Sequence, residues 1–176
     1  MRATKILPWT PKWENLYRQE EKSLKELFKD EMIDIFHIGS TSIPAVGYAK
    51  PVIDILIAVK EIGNVDLYNK QMKSMGYEPR GEFGIEGRRY FPKGGDNRTH
   101  HVHIFQAGNG AIQTHLNFRE YLLEHPQEAK KYGDLKRQLA KQFPANTHLY
   151  QDGKEEFVNA LVERANIWGA EKGESI

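Results

Sequence analysis

The chain has 176 residues and no cysteine, and its 25 Lys and Arg nearly cancel 24 Asp and Glu. A length of this order suits one domain with its own core, and the missing cysteines exclude disulfides, thiolate metal sites and a thiol nucleophile. The balanced charge gives no whole-domain field that would draw nucleic acid, which is not an expected partner.

From the N-terminus, Met1 to Pro11 mixes Arg2 and Lys5 with one aliphatic pair, Ile6 and Leu7, and offers neither a signal region nor a membrane span. A reducing, cytoplasmic setting is the expectation. Trp13 to Asp30 spaces Leu16, Leu24, Leu27 and Phe28 as one face of an amphipathic helix. Met32 to Ile38 turns β-rich and ends in the small-residue turn Gly39-Ser40-Thr41-Ser42. Pro51 to Val59 is an apolar run of strand length, interrupted by Asp54 alone, as in a strand buried on both faces.

Val65 to Met75 reads as a helix closed by Gly76. Arg88 to Phe91 reads as a strand, followed across a loop by the alternating strand Thr99 to Phe105, so a hairpin is predicted. Alternation sends His101, His103 and Phe105 to one face and Val102 and Ile104 to the other. Helical periods then cover residues 112–124, 126–143 and 154–168, with a frayed tail beyond. The basic residues Lys130, Lys131, Lys136, Arg137 and Lys141 read as a solvated helix face, and Trp9, Trp13 and Trp168 as packing anchors. The sum is a single α/β (α+β) domain spanning 1–176, with a helical C-terminal third.

Chemistry concentrates at the first turn and the strand after it. A Gly-Ser turn lets backbone approach an anion and offers N–H and O–H donors, so Gly39, Ser40, Thr41 and Ser42 are candidate phosphate ligands. Lys50 could supply a cationic charge there. A carboxylate inside an apolar strand is costly unless paired or bound to metal, so Asp54 calls for a partner, either a metal or Lys50 or an arginine. Asp54 with His101 and His103 would make a three-ligand set with an open position, suited to Zn²⁺, Mn²⁺ or Fe²⁺ better than Mg²⁺; a polar sheet face is the simpler alternative for the histidines. His37, before the turn, could act as general base or ligand, or be a hydrogen-bonded structural residue. Arg88 and Arg89 alternate faces, and Arg88 is the candidate for phosphate contact.

The segments His37-Ile38-Gly39-Ser40-Thr41-Ser42-Ile43-Pro44 and Lys50-Pro51-Val52-Ile53-Asp54-Ile55 together resemble the signature of the GrpB family. His101-Val102-His103-Ile104-Phe105, Phe118-Arg119-Glu120-Tyr121-Leu122 and Leu135-Lys136-Arg137 extend that resemblance over most of the chain. It implies a nucleotidyltransferase-like fold, a short mixed β-sheet flanked by helices. In that superfamily a Gly-Ser turn precedes a strand carrying Asp, one residue, then a second acid, with a third carboxylate on a later strand. Gly39-Ser40 and Asp54 match, whereas Leu56 occupies the second acid's place and His101 and His103 stand where the third is expected. A two-cation mechanism, with ions about 3.5 to 4 Å apart, is poorly supplied by one Asp.

Two readings follow from the resemblance. The first is a metal-dependent transferase that moves a nucleotidyl or phosphoryl-containing group, with Asp54, His37 and Lys50 catalytic and a divalent cation (Mg, Mn or Zn) as cofactor. The second is a non-catalytic module that binds a nucleotide or a partner and carries a degenerate metal site. Relatives fused to dephospho-CoA kinase suggest a coenzyme A or nucleotide-linked context. The expected partner is a nucleotide or phosphorylated small molecule.

Overall fold

The computed structural model describes residues 5–174, and among them the mixed α/β architecture and the helical C-terminal part are as expected. Its strands are β1 (Leu7–Pro8), β2 (Met32–Ile38), β3 (Tyr48–Ala49), β4 (Ile53–Val59), β5 (Arg88–Lys93) and β6 (His100–Gln106). Its helices are α1 (Lys12–Phe28), α2 (Asn69–Ser74), α3 (Gly110–Glu124), α4 (Pro126–Gln142) and α5 (Thr147–Glu174). The chain divides into two compact units. One, the sheet unit, is Pro11–Ile38 with Val52–Ile112; the other, the helical unit, takes the stretch up to Thr10, Gly39–Pro51 and the chain from Gln113 onward.

In the sheet unit four strands run in the order β2-β4-β6-β5, with β4 and β6 parallel and the outer pairs antiparallel. The predicted hairpin is the β5–β6 pair. β4 is buried along its length except at Asp54, as its apolar run requires. Register assigns the faces. Ile55, Ile57, Val102, Ile104, Phe91 and His37 share one face, and Asp54, Leu56, His101, His103, Tyr90 and Arg88 share the other.

Helix α1 lies on the first face: Tyr17 stacks on His37 with ring centroids 4.7 Å apart, and Glu20 bonds Lys93 of β5 at 2.9 Å. Its buried stripe is Trp13, Tyr17, Leu24 and Phe28, whereas Leu16 is exposed. The aromatic residues, with more area to bury, take the sheet side. The helix predicted over Val65 to Met75 begins instead as a tight 3-10 stretch, Ile62–Tyr68, and becomes α-helical only at Asn69. Side chains of the 3-10 stretch are tied outward, Asn64 to Glu31 and Asp66 to Arg89.

In the helical unit, Ile43, Val46, Tyr121, Leu122, Ala129, Tyr132, Leu161 and Ala165 form the core, with Trp168 packed against it. Helix α5 starts earlier and ends later than the sequence suggests, running through Gly153 and Gly169 to Glu174. Each glycine is a packing contact: a Cβ at Gly153 would meet Leu139, and one at Gly169 would meet Asn117. The frayed tail expected after Trp168 is therefore helix as far as Glu174, and the last two residues lie outside the described range.

Among the glycines the tightest position is Gly133 of α4, where a Cβ would collide with the carbonyl of Val46 in the turn Pro44–Val46. We expect Gly133→Ala to cost about 2–3 kcal/mol through overpacking, a fall in melting temperature of roughly 5–10 °C for a chain of this size. Gly173→Ala, where a Cβ meets nothing within 4 Å, is the matched helical control and should leave the melting temperature unchanged or slightly raised.

Candidate functional site

Asp54 is placed by its strand and satisfied by its neighbours. Parallel register sets Asp54 beside His101 and Leu56 beside His103, so both imidazoles rise on the Asp54 side of the sheet. His101 Nδ1 lies 3.3 Å and His103 Nε2 3.4 Å from the same oxygen, Asp54 Oδ1. Burial alone would push the Asp54 carboxyl up, but hydrogen bonds from the two imidazoles outweigh it and hold the group well below the usual carboxylate range. The partner is thus a histidine pair. Lys50, the partner considered from sequence, has its ammonium 4.5 Å from the centre of the Tyr150 ring in the helical unit.

Two arginines stand behind the histidines. Arg88 Nη1 lies 3.4 Å from His103 Nδ1, and Arg98 Nη1 lies 3.2 Å from His101 Nε2 and 3.3 Å from the Tyr90 hydroxyl. Arg88 is only 7% exposed; its Nε and Nη2 donate to the carbonyls of Glu82 and Phe83, and its guanidinium sits 4.7 Å over the Tyr90 ring. Desolvation lowers its pKa. Arg89 points to the other face and bonds Asp66 at 2.8 Å, as alternation requires. His37 also lies on that other face, stacked on Tyr17, so its ring does not join Asp54.

The Gly-Ser turn belongs to the helical unit. Gly39 adopts φ 72 and ψ −178, a region open to glycine and costly for other residues. Ser42 Oγ donates back to the Gly39 carbonyl, Thr41 is buried, and Trp9 donates its indole N–H to the Thr41 carbonyl at 3.0 Å. Ser40 instead receives Lys136, whose ammonium donates to Ser40 Oγ at 2.6 Å and lies 4.4 Å from the centre of the Tyr132 ring. Lys136 is 3% exposed, which corrects its reading as part of a solvated helix face. It lies three residues after Gly133, on the same face of α4. The close backbone approach at Gly133 is what delivers the lysine to the turn.

Sequence reasoning therefore missed Lys136, Arg98 and Tyr90. Lys136 was obscured by neighbouring surface charges; the glycine one turn earlier was the available signal.

A family model described as "GrpB protein" matches residues 3–164. The chain belongs to the GrpB family. It is 49% identical over 95% of its length to the UPF0157 protein YqkA of Bacillus subtilis (strain 168), spanning 48% of that longer protein. It is 32% identical to the glutamate-rich protein GrpB of Alkalihalophilus pseudofirmus, with 85% of the chain and 88% of that protein covered. The crystal structure of the conserved protein GrpB from Enterococcus faecalis superposes with a TM-score of 0.88 at 42% identity, covering 93% of this chain and 99% of that one. The Cid1 poly(U) polymerase, in an H336N mutant bound to MgATP, superposes with a TM-score of 0.51 at 13% identity, covering 80% of this chain and 46% of that one. That likeness is one of fold, and it agrees with the nucleotidyltransferase-like fold expected from the sequence.

The two-cation arrangement that the resemblance implied does not fit here. Leu56 is fully buried and apolar at the second acid's place, and the one His/Cys/Asp/Glu group among the described residues that could hold an ion is Asp54, His101 and His103. Their ligand atoms lie within 4.8 Å of one another, and one carboxylate with imidazole nitrogen suits a single borderline cation. No helix among the described residues is long and apolar enough to cross a membrane.

A depressed carboxyl pKa contributes stability above the unfolded value of about 3.9 and loses it as pH falls through the folded value. The ¹³C resonance of the Asp54 carboxyl should accordingly show no protonation step between pH 7 and pH 4. In a His101→Ala, His103→Ala double variant the hydrogen bonds that lower it are gone, and the step should move up toward that range.

Proposed function

We propose that this GrpB-family protein is a nucleotidyltransferase-like protein that binds a nucleotide or another phosphorylated small molecule and transfers a nucleotidyl or phosphoryl-containing group from it to an acceptor. The observation that supports this reading most is the convergence of Asp54, His101 and His103 on the β4–β6 face of a sheet of that fold class. Asp54 would hold one divalent cation, Mg²⁺, Mn²⁺ or Zn²⁺, with imidazole nitrogen beside it. Such a cation supplies charge neutralisation at phosphate oxygens. Gly39 and Ser40 would take phosphate oxygens, and Lys136, held on Ser40 Oγ, adds a cationic charge at that turn. Arg88 would bring further positive charge within the sheet unit, and Lys50 within the helical unit. His37 is left out of this set because it lies on the opposite sheet face.

A second reading is favoured by Leu56. With no second acid, the domain would bind a nucleotide or a coenzyme A-linked ligand, or a partner protein, without turning a substrate over. Where the ligand is a nucleotide, the two readings differ in turnover alone.

The test is thermal shift and calorimetry with Mn²⁺, Zn²⁺ or Mg²⁺ and with ATP or UTP, on the wild type, Asp54→Ala and Lys136→Met. Ligand at a hundred times its dissociation constant stabilises by about 2.7 kcal/mol. We expect cation and triphosphate together to raise the melting temperature of the wild type by several degrees. Asp54→Ala should remove the cation-dependent part and Lys136→Met weaken the triphosphate-dependent part. Equal shifts in all three proteins would contradict the assignment. Binding without transfer of α- or γ-labelled phosphate to any acceptor would select the second reading.

A further inference from the structure

The two histidines beside Asp54 look equivalent by distance, but what stands behind them separates their roles. An arginine guanidinium has donors and no acceptor. His103 Nδ1, facing Arg88 Nη1 at 3.4 Å, must therefore present its lone pair, which puts the ring proton of the neutral imidazole on Nε2, the nitrogen aimed at Asp54. By the same argument His101 Nε2, facing Arg98 Nη1 at 3.2 Å, accepts, and His101 Nδ1 carries the proton toward Asp54. Each imidazole donates to the same carboxylate oxygen.

A metal needs the reverse. An imidazole that ligates presents a lone pair to the ion and donates its other N–H outward, ordinarily to a carboxylate or a carbonyl. To ligate through Nε2, His103 would have to turn an Nδ1–H against the N–H of Arg88. That arginine cannot readily step aside, because it is almost fully buried and already spends its Nε and Nη2 on the carbonyls of Glu82 and Phe83. Arg98 differs. It stands in the turn between β5 and β6, more exposed than Arg88, and its Nε bonds the carbonyl of Gly95 within that same turn. Its other tie, Nη1 to the Tyr90 hydroxyl at 3.3 Å, is made by the same nitrogen that faces His101, so an anion reaching the turn can draw it from both.

We propose that Arg88 makes His103 a positioning residue, a fixed Nε2–H donor that orients Asp54, and that His101, behind the displaceable Arg98, is the imidazole that ligates a cation. This rests on the reading of Asp54 as the cation-binding carboxylate.

The first measurement is the long-range ¹H–¹⁵N spectrum of the metal-free protein at neutral pH, which identifies the protonated nitrogen of each imidazole. We expect His103 as the Nε2–H tautomer and His101 as the Nδ1–H tautomer, with the His103 pattern retained when diamagnetic Zn²⁺ is added. The second is calorimetric Mn²⁺ and Zn²⁺ affinity of two conservative variants. His103→Gln keeps an N–H where Nε2 stood and His101→Asn keeps one where Nδ1 stood, so both preserve the donor to Asp54 and remove a lone pair. Affinity should stay within about threefold of wild type in His103→Gln and fall at least tenfold in His101→Asn. An Nδ1–H tautomer at His103, or equal losses in the two variants, would overturn the proposal. A wild type that binds neither ion would overturn the cation reading and the role given to His101, while the His103 tautomer would still decide the role given to Arg88.

Discussion

A carboxylate near the start of an apolar, otherwise buried strand is the constraint around which the sheet unit is arranged. Asp54 cannot sit in β4 uncompensated, since an ionised group withdrawn from water costs several kcal/mol even after relaxation. The compensation comes from β6, whose parallel register lifts His101 and His103 to the same face. Those histidines are in turn oriented from behind, by Arg88 from β5 and by Arg98 from the β5–β6 turn. Three strands and one turn thus converge on one oxygen atom, Asp54 Oδ1. With neutral imidazoles the cluster of Asp54, Arg88 and Arg98 has a net charge of about +1, which suits an anionic ligand.

The helical unit solves a different problem, that of bringing a lysine out of solvent. Gly133 allows α4 to touch the backbone of the turn Pro44–Val46, and Lys136, one turn along, then meets the Ser40 hydroxyl and the face of the Tyr132 ring. Burying an ammonium there is a stability cost that packing against a surface helix would avoid. What it provides is a cationic donor held in place on the Ser40 hydroxyl.

What was legible in the sequence followed local periodicity. The lone Asp54 in an apolar run, the alternation of His101 and His103, and the Arg88/Arg89 split all survive in the structure, because strand period is fixed by the backbone. What was hidden depended on pairing between distant segments. His37 and Asp54 both look like members of one constellation, but antiparallel register sets Ile38 opposite Asp54 and turns His37 to the α1 side. A different pairing by one residue would have reversed that outcome, and no local signal distinguishes the two. Lys136 was hidden for a related reason: surrounded by Lys130, Lys131, Arg137 and Lys141, it is distinguished only by the tertiary contact at Gly133. The bounds expected for the last helix, 154–168, fall just inside Gly153 and Gly169, and both glycines lie within the helix because each serves a neighbour's side chain.

We propose that Asp54 is the single cation-binding carboxylate of this GrpB-family chain. Anomalous diffraction at the manganese edge, from crystals grown with Mn²⁺ and a non-hydrolysable nucleoside triphosphate, tests it most directly. The account predicts one peak against the Asp54 carboxylate. Two peaks there, or none at Asp54 while manganese is ordered elsewhere in the molecule, would contradict it.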